Sequence, residues 1–168
     1  YEHATVTVTN TAPVLNNAGS PTLGTISTNI PDGLNNGTSI EDLIASMGPS
    51  GSVSDANPGT NLGIAINGMS GNGTWQYTIN GGSNWSSIGA TGNFDARLLA
   101  ADGNTRIRFV PNAGFQGEAK IAYVAWDQTT GTNGGNAVVA SRGGTKAFSL
   151  AYEHASIFVT NAAPELDG

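Results

Sequence analysis

The sequence predicts an all-β fold, an antiparallel Greek-key β-sandwich carrying at most one short helix. Twenty-four glycines among 168 residues, with only 11% charged side chains, are the composition of short strands joined by polar turns. Apolar residues recur at period two in short runs separated by Gly, Asn and Pro, the spacing of a half-buried pleated surface. A hydrophobic fraction of 38% suffices for one compact core and argues against disorder of the whole chain.

Thr5 to Thr9 alternates Thr and Val, which sets valines on one strand face and hydroxyls on the other. Residues 10–37 are rich in Asn, Gly and Pro around an apolar alternation at Leu23 and Ile26, and read as a linker, a short first strand and a turn. The segment 39–47 is the one helix: Ser39 caps it, Glu41 and Asp42 sit in its first turn, and Gly48-Pro49 stops it. The oxygen-rich loop 55–61 leads into a buried strand at 62–66. Residues 73–79 and 85–88 flank Asn80-Gly81-Gly82-Ser83-Asn84, a tight hairpin in which glycine takes the positive φ angles. Further strands are expected at 98–100, 106–110, 119–125, 147–151 and 155–160, giving about eight to ten in all.

One segment occurs twice. Tyr1-Glu2-His3-Ala4 through Pro13 returns as Tyr152-Glu153-His154-Ala155 through Pro164 at a constant offset of 151 residues. A strand followed by an Asn-x-Ala-Pro junction, repeated once per domain length, is the mark of a tandem array. Residues 1–17 are therefore read as the terminal strand and linker of a preceding repeat, 18–161 as the sandwich domain and 162–168 as the linker to the next repeat.

Twelve acids against six Lys and Arg give a net charge of -6, which repels nucleic acid and favours cations as partners. With no cysteine, disulfides and thiolate metal sites are excluded, and Ca2+ bound by carboxylates and carbonyls is the expected staple of a secreted domain. No run reaches the roughly 20 apolar residues that span a bilayer, so membrane insertion is not expected.

Oxygen-bearing residues cluster where strands begin or end: Glu41-Asp42, Asp55-Ala56-Asn57 with Gly59 and Asn61, and Asp127 within Ala125-Trp126-Asp127-Gln128. Asn10 and Asn161 stand at the two Asn-x-Ala-Pro junctions. This pattern, over most of residues 10–168, resembles the cadherin-like repeats of large bacterial surface proteins and adhesins. Gly73-Thr74-Trp75-Gln76-Tyr77, Gly81-Gly82-Ser83-Asn84-Trp85, Arg108-Phe109-Val110-Pro111 and Ala125-Trp126-Asp127-Gln128-Thr129-Thr130-Gly131 are similar to one bacterial subtype of such repeats.

The resemblance implies a cadherin/immunoglobulin-like sandwich binding calcium through Glu41, Asp42, Asp55, Asn57, Asp127, Asn10 and Asn161. It further implies an extracellular, cell-surface location, adjacent repeats of the same chain as partners, and a structural extender role in cell adhesion; an isolated domain would be a monomer. Asn57 stands where the family has a second Asp, and the linker has one Asn where vertebrate cadherins carry several acids. Neutral ligands move the expected calcium affinity toward roughly 0.1–1 mM.

The same residues have plainer uses. Asp55 and Asn57 suit a turn, and Glu41 and Asp42 complement a helix N-terminus. Trp75, Trp85 and Trp126, with Tyr77 and Tyr123, fit core packing better than a sugar platform; Trp126 is expected buried and Trp85 the most exposed. Arg106 and Arg108 alternate as on an outward sheet face. His3 and His154 are one position in two copies, which argues against a catalytic pair, and no carboxylate pair sits in a sugar-cleaving motif, so no enzyme is expected. About 100 residues make a plain sandwich. The surplus at 89–104 and 129–145 motivates an alternative, a calcium-dependent module binding a glycan or peptide, with Trp85 and Arg142 as its contact candidates.

Overall fold

The computed structural model describes residues 6–48 and 53–161. Expectations placed on residues 1–5, on Pro49 and on the 162–168 linker fall outside the described residues.

Strand segments appear in the order β1 (Val14–Leu15), β2 (Thr22–Ser27), β3 (Thr38–Ser39), β4 (Val53–Ser54), β5 (Gly63–Ser70), β6 (Gly73–Thr78), β7 (Ser86–Ser87), β8 (Ala96–Ala100), β9 (Arg106–Pro111), β10 (Gly117–Trp126), β11 (Asn136–Ala137) and β12 (Phe148–Thr160). A single-turn 3-10 helix (Asp32–Leu34) precedes β3, and α1 (Ile40–Ser46) follows it. Ser39 caps α1 as expected, its Oγ accepting from the Asp42 amide at 3.0 Å, and Ile40 and Leu43 turn into the core.

The segments form a six-stranded sheet in the order β11-β8-β5-β10-β12-β2, a four-stranded sheet in the order β3-β9-β6-β7, and a β1-β4 pair. Neighbours are antiparallel except β12 and β2, which run parallel. Ile64, Ile66, Ile121, Tyr123, Ala155 and Ile157 of the large sheet share one buried cluster with Trp75, Ile107 and Phe109 of the small sheet. The architecture is that of two β-sheets packed face to face, with the Trp75 and Phe109 ring centroids 5.0 Å apart at its centre.

The large sheet is buried on its other face too. Ala65, Leu98, Val124, Trp126 and Phe148 alternate with the inner-core positions and form a second cluster with Val139 and Ala147. Burial on both sides explains why β5 reads as a continuous apolar run at 64–66 rather than an alternation. It also explains Gly63, where an added Cβ would lie 2.5 Å from the Leu99 carbonyl and 2.9 Å from the Trp126 ring. The cover comes from the chain after β10: the Trp126 indole donates to the Thr130 carbonyl at 2.8 Å, and Val139 is fully buried. The surplus expected to build a binding loop also has structural parts, 89–104 supplying β8 and 129–145 roofing the sheet.

Three local readings differ from the sequence. Residues 6–10 form no strand, and Val6 and Val8 are 84% and 81% exposed, because alternation alone supplies no neighbouring edge to pair with. The stretches 147–151 and 155–160 merge into β12, since the ladder continues through Val124↔Tyr152, Tyr123↔Glu153 and Ala122↔His154. Arg108 does sit on the outer face of the small sheet, but it is buried there beneath the chain preceding β3. Its guanidinium donates to Gln76 Oε1 and to the Asp32 and Asn35 carbonyls, and lies 4.3 Å over the Trp85 ring.

Phe109 touches Trp75 and Phe115 and has no exposed surface. Phe109→Ala is expected to cost about 3–5 kcal/mol in denaturant unfolding. Burial pushes the Tyr123 hydroxyl above the ordinary tyrosine range, and the Glu153 carboxylate opposite it pushes the same way. A phenol harder to ionise when folded stabilises fully below its unfolded pKa of about 10 and loses that contribution as pH rises further. Unfolding midpoints should therefore fall above about pH 10, and Tyr123→Phe should flatten the fall.

Candidate metal centre

Sheet register brings several loops to one end of the sandwich. Gly63 lies opposite both Ala100 and Trp126, and Trp126 lies opposite Phe148, so the chains entering or leaving at those four residues meet at a common pole. The linker preceding β1 is fastened across this pole. Asn10 Nδ2 donates to Asp127 Oδ2 at 2.7 Å and to the Lys146 carbonyl at 3.3 Å. The Thr11 amide donates to Asn57 Oδ1 at 2.8 Å, and the Ala12 amide to the Gly144 carbonyl at 2.8 Å. Consecutive linker residues thus hold the 55–61 loop and the Asp127 turn together, which places Asn10, Asp55, Asn57 and Asp127 in one neighbourhood.

Each loop is shaped by its own side chains. Asp55 Oδ1 accepts from the Asn57 amide at 2.7 Å, an Asx turn that leaves the second carboxylate oxygen free. That atom, Asp55 Oδ2, is buried without a hydrogen-bond partner. Asp127 is only 2% exposed, and its Oδ1 accepts from both the amide and the hydroxyl of Thr129, at 2.9 and 2.6 Å. These bonds hold the turn in which Gln128 adopts a φ of 60°.

A buried carboxylate oxygen lacking a donor is costly unless a charge or donor reaches it, and a hard cation fulfils that need. The side chains tied together at this pole are two amides, Asn10 and Asn57, and two carboxylates, Asp55 and Asp127. Among the described residues no group of three or more His, Cys, Asp or Glu side chains converges, so a cation here would depend on amide and backbone oxygens as well as on carboxylates.

The other expected ligands make no described hydrogen bond to this group. Glu41 and Asp42 are exposed at the start of α1, whose Ile40 amide donates to the Thr105 carbonyl at the same pole. Glu41 Oε2 faces Gly103, and no described hydrogen bond links either acid to Asp55 or Asp127. Asn161 follows β12 at the opposite end of the sheet, about 40 Å of extended strand beyond Phe148. Trp85 is half-buried under Arg108, while Arg142 lies on the outer face of the large sheet and donates to Asn93 Oδ1 at 3.2 Å. The contributions of Thr11, Ala12, Gly144 and Lys146 were missing from the sequence reading, because backbone donors and acceptors leave no signal in side-chain identity.

Compared with family models, curated proteins and solved structures, the chain gives no match in any of the three.

Asn10→Ala removes the donor to the buried Asp127 Oδ2. The expected cost is about 1–3 kcal/mol in chemical unfolding, together with faster hydrogen exchange at the Thr11 and Ala12 amides. Unchanged exchange at both amides would show that the linker is held without this bond.

Proposed function

We propose that this chain is one unit of a tandem array, a cadherin-like module stiffened by calcium within an extracellular bacterial surface protein. The observation that carries the metal reading is the orphaned, buried Asp55 Oδ2 in the loop that grips the linker. Support for the array comes from the repeated segment. At the 151-residue offset Val6 and Val8 correspond to Ile157 and Val159, which are 5% and 2% exposed in β12, whereas the valines are 84% and 81% exposed. Apolar alternation that is buried in one copy and bare in the other fits a strand whose own domain lies upstream. The cadherin/immunoglobulin Greek-key reading draws on the split entry of the chain, β1 pairing with β4 and β2 pairing in parallel with the last strand.

Asp55, Asn57, Asp127 and Asn10 are the residues that would hold calcium at the pole. A half-turn of the Asn10 amide exchanges its donor for its Oδ1 acceptor, so this contact with Asp127 can convert from hydrogen bond to shared ligation. Bound calcium would supply positive charge between the two carboxylate loops and the linker. On a chain of net charge -6, Asp55 and Asp127 otherwise repel across the junction, and the linker side chains and amides that bind these loops bring no positive charge to them. By the same offset Asn161 stands to a following repeat as Asn10 stands to this one. The proposed role is mechanical, setting the angle and stiffness between neighbours; no helix among the described residues is long and apolar enough to cross a membrane.

Calcium titration followed by thermal melting tests the reading. At a hundredfold excess over Kd the gain is about 2.7 kcal/mol, which raises the midpoint of a chain this long by roughly 5–10 °C. Asp55→Asn should reduce the rise, and a midpoint indifferent to calcium and to excess chelator overturns the metal assignment.

A further inference from the structure

The outer face of the large sheet carries a second feature, away from the pole. A shallow pocket of about 380 Å³ is lined by Asn67, Gly92, Asn93, Ala122, Arg142 and Tyr152. That volume is within the range of small-molecule sites. The pocket shares no residue with the Asn10, Asp55, Asn57 and Asp127 group.

A β-bulge builds it. Ala122 pairs with Gly68 and Tyr123 with Ile66, so Asn67 is the extra residue of β5 and stands outside the ladder. Its Nδ2 donates to Asn93 Oδ1 at 3.0 Å, and Arg142 donates to the same oxygen at 3.2 Å. Asn67 Oδ1 is buried and has no partner, an acceptor waiting for a hydroxyl or amide. Among the described residues Arg142 has no carboxylate within ion-pair distance, although acids outnumber bases two to one in this chain. Tyr152 completes the wall. It is 55% exposed and braced edge-on against His154, with centroids 5.5 Å apart.

An exposed ring, an unpartnered amide oxygen and an uncompensated guanidinium on a small-residue floor match three parts of one chemical class. The ring stacks on the apolar face of a pyranose, Asn67 Oδ1 accepts from a hydroxyl, and Arg142 grips a carboxylate. We propose that this pocket binds a carboxylated sugar, such as a uronic acid unit of an acidic glycan. Tyr152 and His154 recur as Tyr1 and His3, within a run in which the buried Glu153 and Ala155 recur as well, as Glu2 and Ala4. The ring and its brace would thus be present in more than one unit, and successive weak sites on one chain would add through avidity.

The test is calorimetric titration of the 168-residue chain with trigalacturonic acid, neutral galactotriose and an oligo-glutamate peptide, in calcium and again with chelator. Saturable binding of the acidic sugar is expected, at least about tenfold tighter than the neutral one. Arg142→Gln and Tyr152→Ala should each weaken it by about tenfold or more with the melting midpoint unchanged. Asn67→Asp, which sets a like charge against the ligand while keeping side-chain size, should abolish it and serves if Tyr152→Ala unfolds. No binding, equal binding of both sugars, preference for the peptide, or affinity untouched by these variants overturns the proposal. The calcium shift of the melting midpoint is read on the same samples, so the failure of either assignment is seen independently of the other.

Discussion

Trp126 is almost fully buried on the face of the six-stranded sheet that points away from the inner core, and much else follows from that placement. A side chain of this size hides about 150–250 Å², worth roughly 4–6 kcal/mol as an upper figure. Burial on that face requires a roof, and the chain from Thr129 to Ala147 provides it, tied down through Thr130 and packed through Val139. With the roof in place, Asp127 begins a turn of fixed shape at the pole, and Arg142 is carried back over the sheet to Asn93. Both candidate sites are therefore edges of one hydrophobic layer. Loss of that packing would disturb them together, although they share no residue.

Strand β12 links the two layers. Its odd-numbered positions Ala155, Ile157 and Val159 enter the inner core, and its even-numbered positions run from buried Phe148 to exposed Tyr152, His154 and Phe158. Glu153 is the exception, a carboxylate on the inward side whose Oε2 lacks a partner beside Tyr123. The chain tolerates it because the flanking ladder bonds to β10 persist and Oε1 accepts from the His154 amide at 2.8 Å. Arg108 illustrates the opposite balance. Its buried guanidinium is surrounded by neutral acceptors and an aromatic face, with the exposed Asp32 carboxylate 3.5 Å away, so the desolvation of the charge is met by several partners at once.

The linker pole and the sugar pocket also differ in how they use polar atoms. At the pole, donors from consecutive linker residues satisfy oxygens of two distant loops, so order in the linker and order in the loops are one cooperative event. In the pocket, Asn93 Oδ1 alone gathers Asn67 and Arg142, leaving capacity on both. The first arrangement fastens one linker to two loops, and the second leaves polar capacity open at the surface.

Local chemistry by itself determined the β-rich class, the position and cap of α1, the Gly81-Gly82 hairpin, the burial of Trp126 and the repeat at 151 residues. Each rests on interactions between residues close in the chain, or on period-two patterning that any sheet neighbour would satisfy. Tertiary structure decided the rest. It left residues 6–10 unpaired, fused two expected strands into β12, buried Arg108 on an outward face and turned an expected loop into a roof. Asn10, Asp55, Asn57 and Asp127 came together, while Asn161 lies at the far end of β12, because register between distant strands chooses which loops meet. Asn67 and Tyr152 could not be recognised beforehand for the same reason: a bulge in β5 and the pairing of both β5 and β12 with the intervening β10 bring them to one pocket, and alternation along either strand contains no trace of the other.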